Sequence, residues 1–256
     1  MIDPHILRKA QLIMFDMLRE FDSVCQQHKL QYWLDSGTLL GAVRHHGFIP
    51  WDDDIDISMP IEDYNKFLTL APDVFSNDIF FQTSQTDKHF KFDYAKLRSN
   101  KASIVELHEK DKNIKYHQGV FVDIFPMLTI DSTEESKQLY DSTLKEIRDA
   151  SSISLHTQNG NDEPNKRPPL IALLKQHHQG WERNDTKVIY SGEMPDVAAW
   201  FDIKNVFPLT KIEFEGFDFP APNNSSHYLD AIYSFDYRQL PPENKRVIHA
   251  HSINIL

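Results

Sequence analysis

The residues with the clearest chemical meaning lie in the acidic run WDDDIDIS, residues 51–58. Its alternation predicts a strand that carries Asp54 and Asp56 on one face, about 7 Å apart along the backbone. Two carboxylates at that spacing can converge on one hard cation. Mg²⁺ suits them because it takes oxygen ligands and keeps positions for phosphate oxygens. The alternative is a solvated acidic turn before the strand. Asp52 shares the parity of the pair, and Asp53 has the weakest functional claim.

A third carboxylate, Asp123, stands inside the apolar run VFVDIF, residues 120–125. An unpaired charge would be costly to bury there. A metal shared with Asp54 and Asp56 would offset that cost. The alternative is an ion pair with Lys96 or Arg98.

The tripeptide Ser36-Gly37-Thr38 follows a predicted strand and opens a predicted helix. Backbone N–H groups and a hydroxyl at such a turn can hold a phosphate. We therefore expect Gly37 and Thr38 to bind substrate.

Basic residues near these motifs have two interpretations. Arg44, Lys96 and Arg98 can contact a donor phosphate, or they can neutralise the aspartates. Aromatic side chains near the motifs can hold a quaternary ammonium, with core packing as the alternative for each. These are Trp33, Trp51, Tyr94, Phe121 and Phe125.

Composition limits the function classes. The chain has 256 residues, enough for one large core, and a formal net charge of −11, which argues against general binding of nucleic acid. Cys25 is the only cysteine, so neither an internal disulfide nor a cysteine-based zinc site can form. No leader peptide or membrane span is predicted, and we expect a cytoplasmic protein, located there or at the inner face of the membrane.

Histidine pairs raise the alternative of a zinc site. His45-His46, His177-His178 and the pair His249 and His251 stand in segments without a convergent spacing. Because no cysteine supports them, we do not expect zinc.

Hydrophobic periodicity predicts an α+β fold with a mixed β-sheet flanked by helices, followed by a mainly helical second half. Helices are predicted over 3–28, 37–47, 60–71, 132–155 and 170–181, the fourth with a capping box at Ser132 and Glu135. Strands are predicted at 31–37, 55–59, 79–83, 92–99, 102–107, 119–125, 187–190 and 206–219.

Several blocks of sequence resemble a known family. The blocks are DSGTLLGAVRHHGFIPWDDDIDISM, HQGVFVDIFPM, IEFEGFDFPAP and YLDAIYSFDYRQLPPENKR. In that order they are similar to the LicD family of phosphocholine transferases, which is related to fukutin and falls within the nucleotidyltransferase superfamily. The resemblance covers most of the chain.

This resemblance implies a nucleotidyltransferase-like catalytic core over 1–130. A helical and β-hairpin region over 131–256 would complete the donor and acceptor sites, the two forming one integrated domain. It also implies Mg²⁺, or Mn²⁺, bound by Asp54 and Asp56, with Asp123 as the third catalytic acid, either a metal ligand or a general base. Gly37 and Thr38 match the donor-phosphate turn.

The implied reaction is transfer of phosphocholine from CDP-choline to a hydroxyl of a cell-surface glycan, with release of CMP. The acceptor would be a teichoic acid, a lipooligosaccharide or a lipid-linked precursor, which would bring the protein to the membrane periphery. Three alternatives remain open. They are another CDP-alcohol such as CDP-ribitol or CDP-glycerol, nucleotidyl transfer from an NTP, and a non-catalytic nucleotide-binding protein.

Overall fold

The computed structural model describes residues 2–90, 92, 94–143, 145, 177–182, 185–190, 199–233 and 236–256. Within these residues an eight-stranded mixed sheet forms the centre of the fold, and a separate two-stranded hairpin lies beside it. Helices flank the sheet. The predicted α+β class, with a nucleotidyltransferase-like core, is confirmed.

The helices are α1 (Pro4–His28), α2 (Ser36–His45), α3 (Ile61–Val74), α4 (residues 134–143), α5 (Ile203–Val206) and α6 (Ser225–Ile232). The sheet contains β1 (Trp33–Leu34), β2 (Ile55–Pro60), β3 (Ile79–Gln82), β4 (Ala95–Glu106), β5 (Gly119–Asp131), β6 (Thr186–Tyr190), β7 (Phe201–Asp202) and β10 (Ala250–Ile255). The hairpin is β8 (Thr210–Phe214) and β9 (Phe217–Ala221).

The long first helix follows directly from its sequence. Asp3 caps it by accepting a hydrogen bond from the backbone N–H of His5 at 2.7 Å, and Pro4 stands in the first turn. Its apolar stripe, which includes Met14, Leu18 and Phe21, is fully buried. The helix therefore forms one wall of the core behind the sheet.

Strand order places β2 and β5, which carry Asp56 and Asp123, in the interior of the sheet. β2 pairs with β1 in antiparallel fashion and with β5 in parallel, and β5 pairs with β4 and β6 in antiparallel fashion. β4 also pairs with β3 and β10. Because β2 and β5 are each paired on both sides, the register between their polar residues is fixed.

The described part of the second half contains strands as well as helices. β6 and β7 extend the main sheet, β8 and β9 form the hairpin, and β10 closes against β4. Of the helix predicted for 132–155 only the start is described, as α4, and most of the helix predicted for 170–181 lies outside the described residues. Among the described residues, no helix has the length and apolar character to cross a membrane.

Candidate active site

Strand register brings three of the predicted residues into one row. Asp56 on β2 is the partner of Asp123 on β5, and Asp123 is the partner of Lys96 on β4. Paired residues of adjacent strands project to the same face, so all three side chains share one face of the sheet. Asp54 stands just before the first residue of β2, and its charge acts on Asp56. Residues 67 positions apart in sequence thus form one polar site.

Asp123 is held by an ion pair with Lys96. The Lys96 Nζ lies 2.7 Å from Oδ1 of Asp123 and donates a hydrogen bond to Oδ2 at 3.0 Å. Both side chains are buried. Burial raises the pKa of Asp123, and the Lys96 ammonium opposes that rise. Of the two explanations for a buried Asp123, the structure contains the ion pair with Lys96.

Lys96 is further enclosed by aromatic rings. Its Nζ stands 3.5 Å from the ring centroid of Phe121 and 5.5 Å from that of Tyr94. These contacts add cation–π attraction to the ion pair. Phe121 and Tyr94, two of the aromatic residues predicted as candidates for binding a quaternary ammonium, therefore contact Lys96. Two others, Trp33 and Phe125, are fully buried.

The acidic run before β2 is a close cluster. One carboxylate oxygen from each of Asp52, Asp53 and Asp54 lies within 4.8 Å of the others. Asp53 is only 2% exposed, and its carboxylate accepts hydrogen bonds from the backbone N–H of His249, at 3.2 Å, and of Ala250. Asp52, Asp54 and Asp56 are partly exposed, so a ligand can reach them.

Electrostatics set these three apart from ordinary surface aspartates. Burial and then repulsion from Asp53 raise the pKa of Asp52 to about 7, against the opposing effect of His249 and Arg44. Burial and neighbouring carboxylates raise the pKa values of Asp54 and Asp56 well above the usual range.

A cation would relieve this repulsion. Asp52, Asp54 and Asp56 are partly exposed oxygen donors that repel one another, and such a set suits a hard divalent ion. Asp53 fits less well because backbone amides already occupy its oxygens. The donor set therefore fits Mg²⁺ or Mn²⁺.

The turn at the start of α2 packs directly against the acidic cluster. Asp35 caps the helix by accepting from the backbone N–H of Ser36 at 2.6 Å, and Ser36 has φ of 43°. A side chain on Gly37 would come within 3.0 Å of the Asp52 carboxylate, so glycine permits this approach. Thr38 Oγ1 accepts from the backbone N–H of Asp56 at 2.8 Å, which fixes the helix start against β2.

The two arginines donate hydrogen bonds to groups other than the aspartate carboxylates. Arg98 is 2% exposed and donates to Gln82 Oε1 and to the carbonyl of Gly119, both at 2.8 Å. Arg44 donates to the carbonyl of Tyr237 at 2.6 Å. Arg44 stays partly exposed beside the cluster, whereas Arg98 ties β3, β4 and β5 together.

Sequence reasoning missed a buried network behind the turn. Asp35 Oδ2 accepts from Ser58 Oγ and from the Tyr228 hydroxyl at 3.1 Å, and Tyr228 accepts from Trp33 Nε1 at 3.0 Å. The network joins α2, β2 and α6. The helix-capping position of Asp35 was readable from the sequence, but its link to Tyr228, 193 residues away, was not.

In the part of the chain that the structure describes, the close groups of metal-binding side chains contain none of the paired histidines. Groups of three or more close metal-binding side chains there are the aspartate cluster and Glu106, His108 and Glu109. Glu109 in the second group already accepts from the Tyr116 hydroxyl at 2.5 Å and from Gln118 at 3.1 Å.

Residues 29–154, which contain the acidic run, the Ser36-Gly37-Thr38 turn, Lys96 and Asp123, match the family model LicD/FKTN/FKRP, nucleotidyltransferase domain. The chain carries a LicD-family nucleotidyltransferase domain. The predicted resemblance is thereby confirmed. The matched segment begins just before β1 and includes α2, β2 and β5, the elements that form the site.

Relatives of known name are consistent with this family. The chain is 25% identical to lipopolysaccharide cholinephosphotransferase LicD of Haemophilus influenzae, over 95% of each chain. It is 36% identical to an uncharacterized protein of Rickettsia typhi, over 44% of this chain and 35% of the relative. A segment of 34 residues is 53% identical to human ribitol 5-phosphate transferase FKRP, which is 13% of this chain and 7% of the relative.

Proposed function

We propose that this protein transfers phosphocholine from CDP-choline to a hydroxyl of a cell-surface glycan, with release of CMP. The observation that carries the proposal is the reachable aspartate cluster at the junction of α2 and β2, where Asp52, Asp54 and Asp56 have raised pKa values. A cation bound there would relieve the repulsion, and a cation beside the N-terminus of α2 would suit a diphosphate.

Asp54 and Asp56, with Asp52 beside them, would hold Mg²⁺ or Mn²⁺. The ion, when bound, would neutralise charge on the donor diphosphate and on the departing CMP. Gly37 lets the backbone approach this region closely, and Thr38 anchors it to β2. Arg44, partly exposed next to the cluster, is our candidate for a direct phosphate contact.

Asp123 and Lys96 have a separate role in this proposal. The acceptor oxygen would attack the phosphorus that bears choline, and the bond from that phosphorus to CMP would break with its electron pair on CMP. The hydroxyl proton would pass to the Asp123 carboxylate. Lys96 supports this role because its ammonium favours the ionised form of Asp123. Arg98 would not contact the substrate and would act only by holding β3, β4 and β5 together around Asp123 and Lys96.

The relatives support the reaction class and leave two donors to compare. The Haemophilus protein is named for transfer of choline phosphate, and FKRP for transfer of ribitol 5-phosphate. The long match favours CDP-choline. The short segment of 53% identity gives CDP-ribitol the second place.

The test is release of CMP from CDP-choline in the presence of Mg²⁺ and a panel of glycan acceptors. We expect Asp54→Asn and Asp56→Asn each to lower the rate by about 10²-fold or more, as for removal of a main electrostatic contact. Asp73→Asn, on the exposed side of α3, is the matched control and should keep wild-type activity.

Other products would point elsewhere. Release of CMP only from CDP-ribitol would select the second donor. Pyrophosphate released from CTP would indicate nucleotidyl transfer, and metal-dependent donor binding without turnover on any acceptor would indicate a binding protein. Full activity in either aspartate variant would remove the metal assignment.

A further inference from the structure

A cleft of about 510 Å³ lies beyond the end of β2 that is distant from the aspartates. Its lining residues are Gln31, Pro60, Glu62, Asp63, Gln179, Gly180, Trp181 and Glu182. No residue of this cleft takes part in the phosphate chemistry proposed above. Its contents therefore need a separate explanation.

One wall of the cleft is fixed to the central strand β5. β2 ends at Pro60, whose partner on β5 is Met127. Beyond that point the segment 178–180 forms hydrogen bonds with β5 in place of β2. At Thr129 the backbone N–H donates to His178 Nδ1 at 3.1 Å, the carbonyl accepts from Gln179 N at 3.0 Å, and Oγ1 donates to the carbonyl of Gly180 at 2.9 Å. The wall is thus held by three hydrogen bonds.

Those bonds also orient the polar groups inside the cleft. Because His178 Nδ1 accepts from an amide, the ring proton of the neutral histidine is on Nε2, which lies 2.8 Å from Glu62 Oε1 and donates to it. Trp181 Nε1 donates to the other oxygen, Oε2, at 2.7 Å. The Glu62 carboxylate and the partly exposed Trp181 ring are therefore fixed relative to each other before any ligand arrives.

We propose that this cleft binds a sugar unit of the acceptor glycan, with the pyranose ring against Trp181. An aromatic ring offers an apolar surface to the C–H face of a sugar, and the carboxylates and amides around it suit hydroxyl groups. The lining residues that the structure describes include three carboxylates, Glu62, Asp63 and Glu182, and no lysine or arginine, which favours a neutral polyhydroxyl ligand over an anion. This inference rests on the proposed function, because it takes the acceptor to be a glycan.

The position of the cleft fits an acceptor longer than one sugar. Pro60 has the same strand parity as Asp56 and lies four residues further along β2, about 13 Å away at the usual rise per residue. A short oligosaccharide spans that distance. The unit in the cleft would then be remote from the reacting hydroxyl, and its binding energy would position the chain.

The test is ligand-observed NMR on the full chain with named probes. These are the methyl glycosides of glucose, galactose, N-acetylglucosamine and N-acetylgalactosamine, with lactose and N,N′-diacetylchitobiose. Tetramethylammonium and inorganic phosphate serve as competing ligand classes. We expect saturation transfer to at least one sugar, with affinity weakened about tenfold in Trp181→Ala. Phe217→Ala, which removes an exposed aromatic of the hairpin that is not among the lining residues of the cleft, should bind like wild type.

Two milder variants keep the test valid if Trp181→Ala does not fold. Trp181→Phe retains a ring against Phe207 but loses the hydrogen bond to Glu62, and Glu62→Gln retains shape but loses charge. Both should weaken sugar binding and raise KM for a glycan acceptor while leaving KM for the CDP-linked donor unchanged.

The proposal is overturned if no sugar binds, if only tetramethylammonium or phosphate binds, or if the Trp181 and Glu62 variants bind sugar as tightly as wild type. These readings need no donor and no turnover. Sugar binding at Trp181 without CMP release would contradict the proposed function and leave the sugar site in place.

Discussion

Asp123 and Lys96 show how one contact decides between two roles for a buried carboxylate. The pair lies in the middle of three strands, and both side chains are buried. Removing one partner of a buried ion pair leaves an uncompensated charge, which is more costly than losing both. Each partner is therefore needed while the other is present and, in our proposal, Lys96 keeps Asp123 ionised so that it can accept a proton.

We predict that Lys96→Met, measured by urea unfolding in EDTA at neutral pH, lowers the free energy of unfolding by about 3–5 kcal/mol. The reason is the unpaired Asp123 carboxylate. The double variant Lys96→Met with Asp123→Leu is the control and should recover most of that loss. If the two single changes simply added, the ion pair would have no energetic role.

The aspartate cluster makes a prediction for pH. The pKa of Asp52 is raised to about 7, and those of Asp54 and Asp56 are also raised. The folded protein thus holds protons that the unfolded chain has released, so stability in EDTA should fall as pH rises through roughly 4 to 8. The raised pKa of His249, about 9, acts in the same direction.

Saturating Mg²⁺ should remove most of this decline, because the ion binds the ionised carboxylates. The measurement is thermal unfolding across that pH range, with and without Mg²⁺, and Asp56→Asn should show a smaller decline and a smaller Mg²⁺ effect. A stability that rises with pH in EDTA would contradict the raised pKa values.

At the residue scale the sequence predicted local structure better than partners. Alternation predicted the strand that carries Asp56, because side-chain period is a local property of a strand, and β2 begins at Ile55, one residue after Asp54. The partner of Asp123 required the register of β4 on β5, which no local pattern contains. Arg98 has the same strand parity as Lys96, but its guanidinium group donates hydrogen bonds to Gln82 and Gly119. The roles of the site residues stay predictions.

At the scale of elements, Asp53 connects the acidic loop to the last strand. Its carboxylate accepts from the backbone N–H groups of His249 and Ala250, where β10 begins. We predict that Asp53→Asn speeds amide hydrogen exchange at these two residues and lowers the free energy of unfolding by about 1–3 kcal/mol. The asparagine side chain has one oxygen in place of two, so one buried backbone N–H loses its acceptor.

The same variant tests which aspartates hold the cation. Asp53→Asn should retain stabilisation by Mg²⁺, whereas Asp54→Asn should lose it and keep normal exchange at Ala250. Loss of the Mg²⁺ effect in Asp53→Asn, with exchange unchanged, would make Asp53 a ligand rather than an anchor.

Elements with strong local signals were predicted closely, and those defined by distant pairing were not. The helix at 3–28 and the strand at 55–59 differ from α1 and β2 by one residue at one end. The start of α4 is capped by Thr133, whose Oγ1 accepts from Ser136 N at 3.2 Å, one residue after the predicted cap at Ser132. β10 was missed, because its short alternating run becomes a strand only by pairing with β4.

At the scale of the whole molecule, residues after 130 complete the central sheet and pack against the first half. Ile253 on β10 pairs with Ile104 on β4, and β6 pairs with the last residues of β5. From the hairpin, Phe214 contacts Phe48, with ring centroids 5.0 Å apart, and Phe15, at 6.3 Å. These contacts cross the boundary predicted at residue 130. They support our proposal that 1–130 and 131–256 form one integrated domain.

We predict that the full chain unfolds in one cooperative transition, and that a fragment of residues 1–130 does not fold alone. The fragment would expose the edge of β4 over 102–106 and the apolar surface that the hairpin covers, so it would lose pairing and burial together. Urea unfolding followed by circular dichroism and by tryptophan fluorescence should give coincident curves for the full chain. A fragment with a native-like spectrum and its own sigmoidal transition would instead establish two separable domains, and the site would then depend on the second half only for substrate contacts.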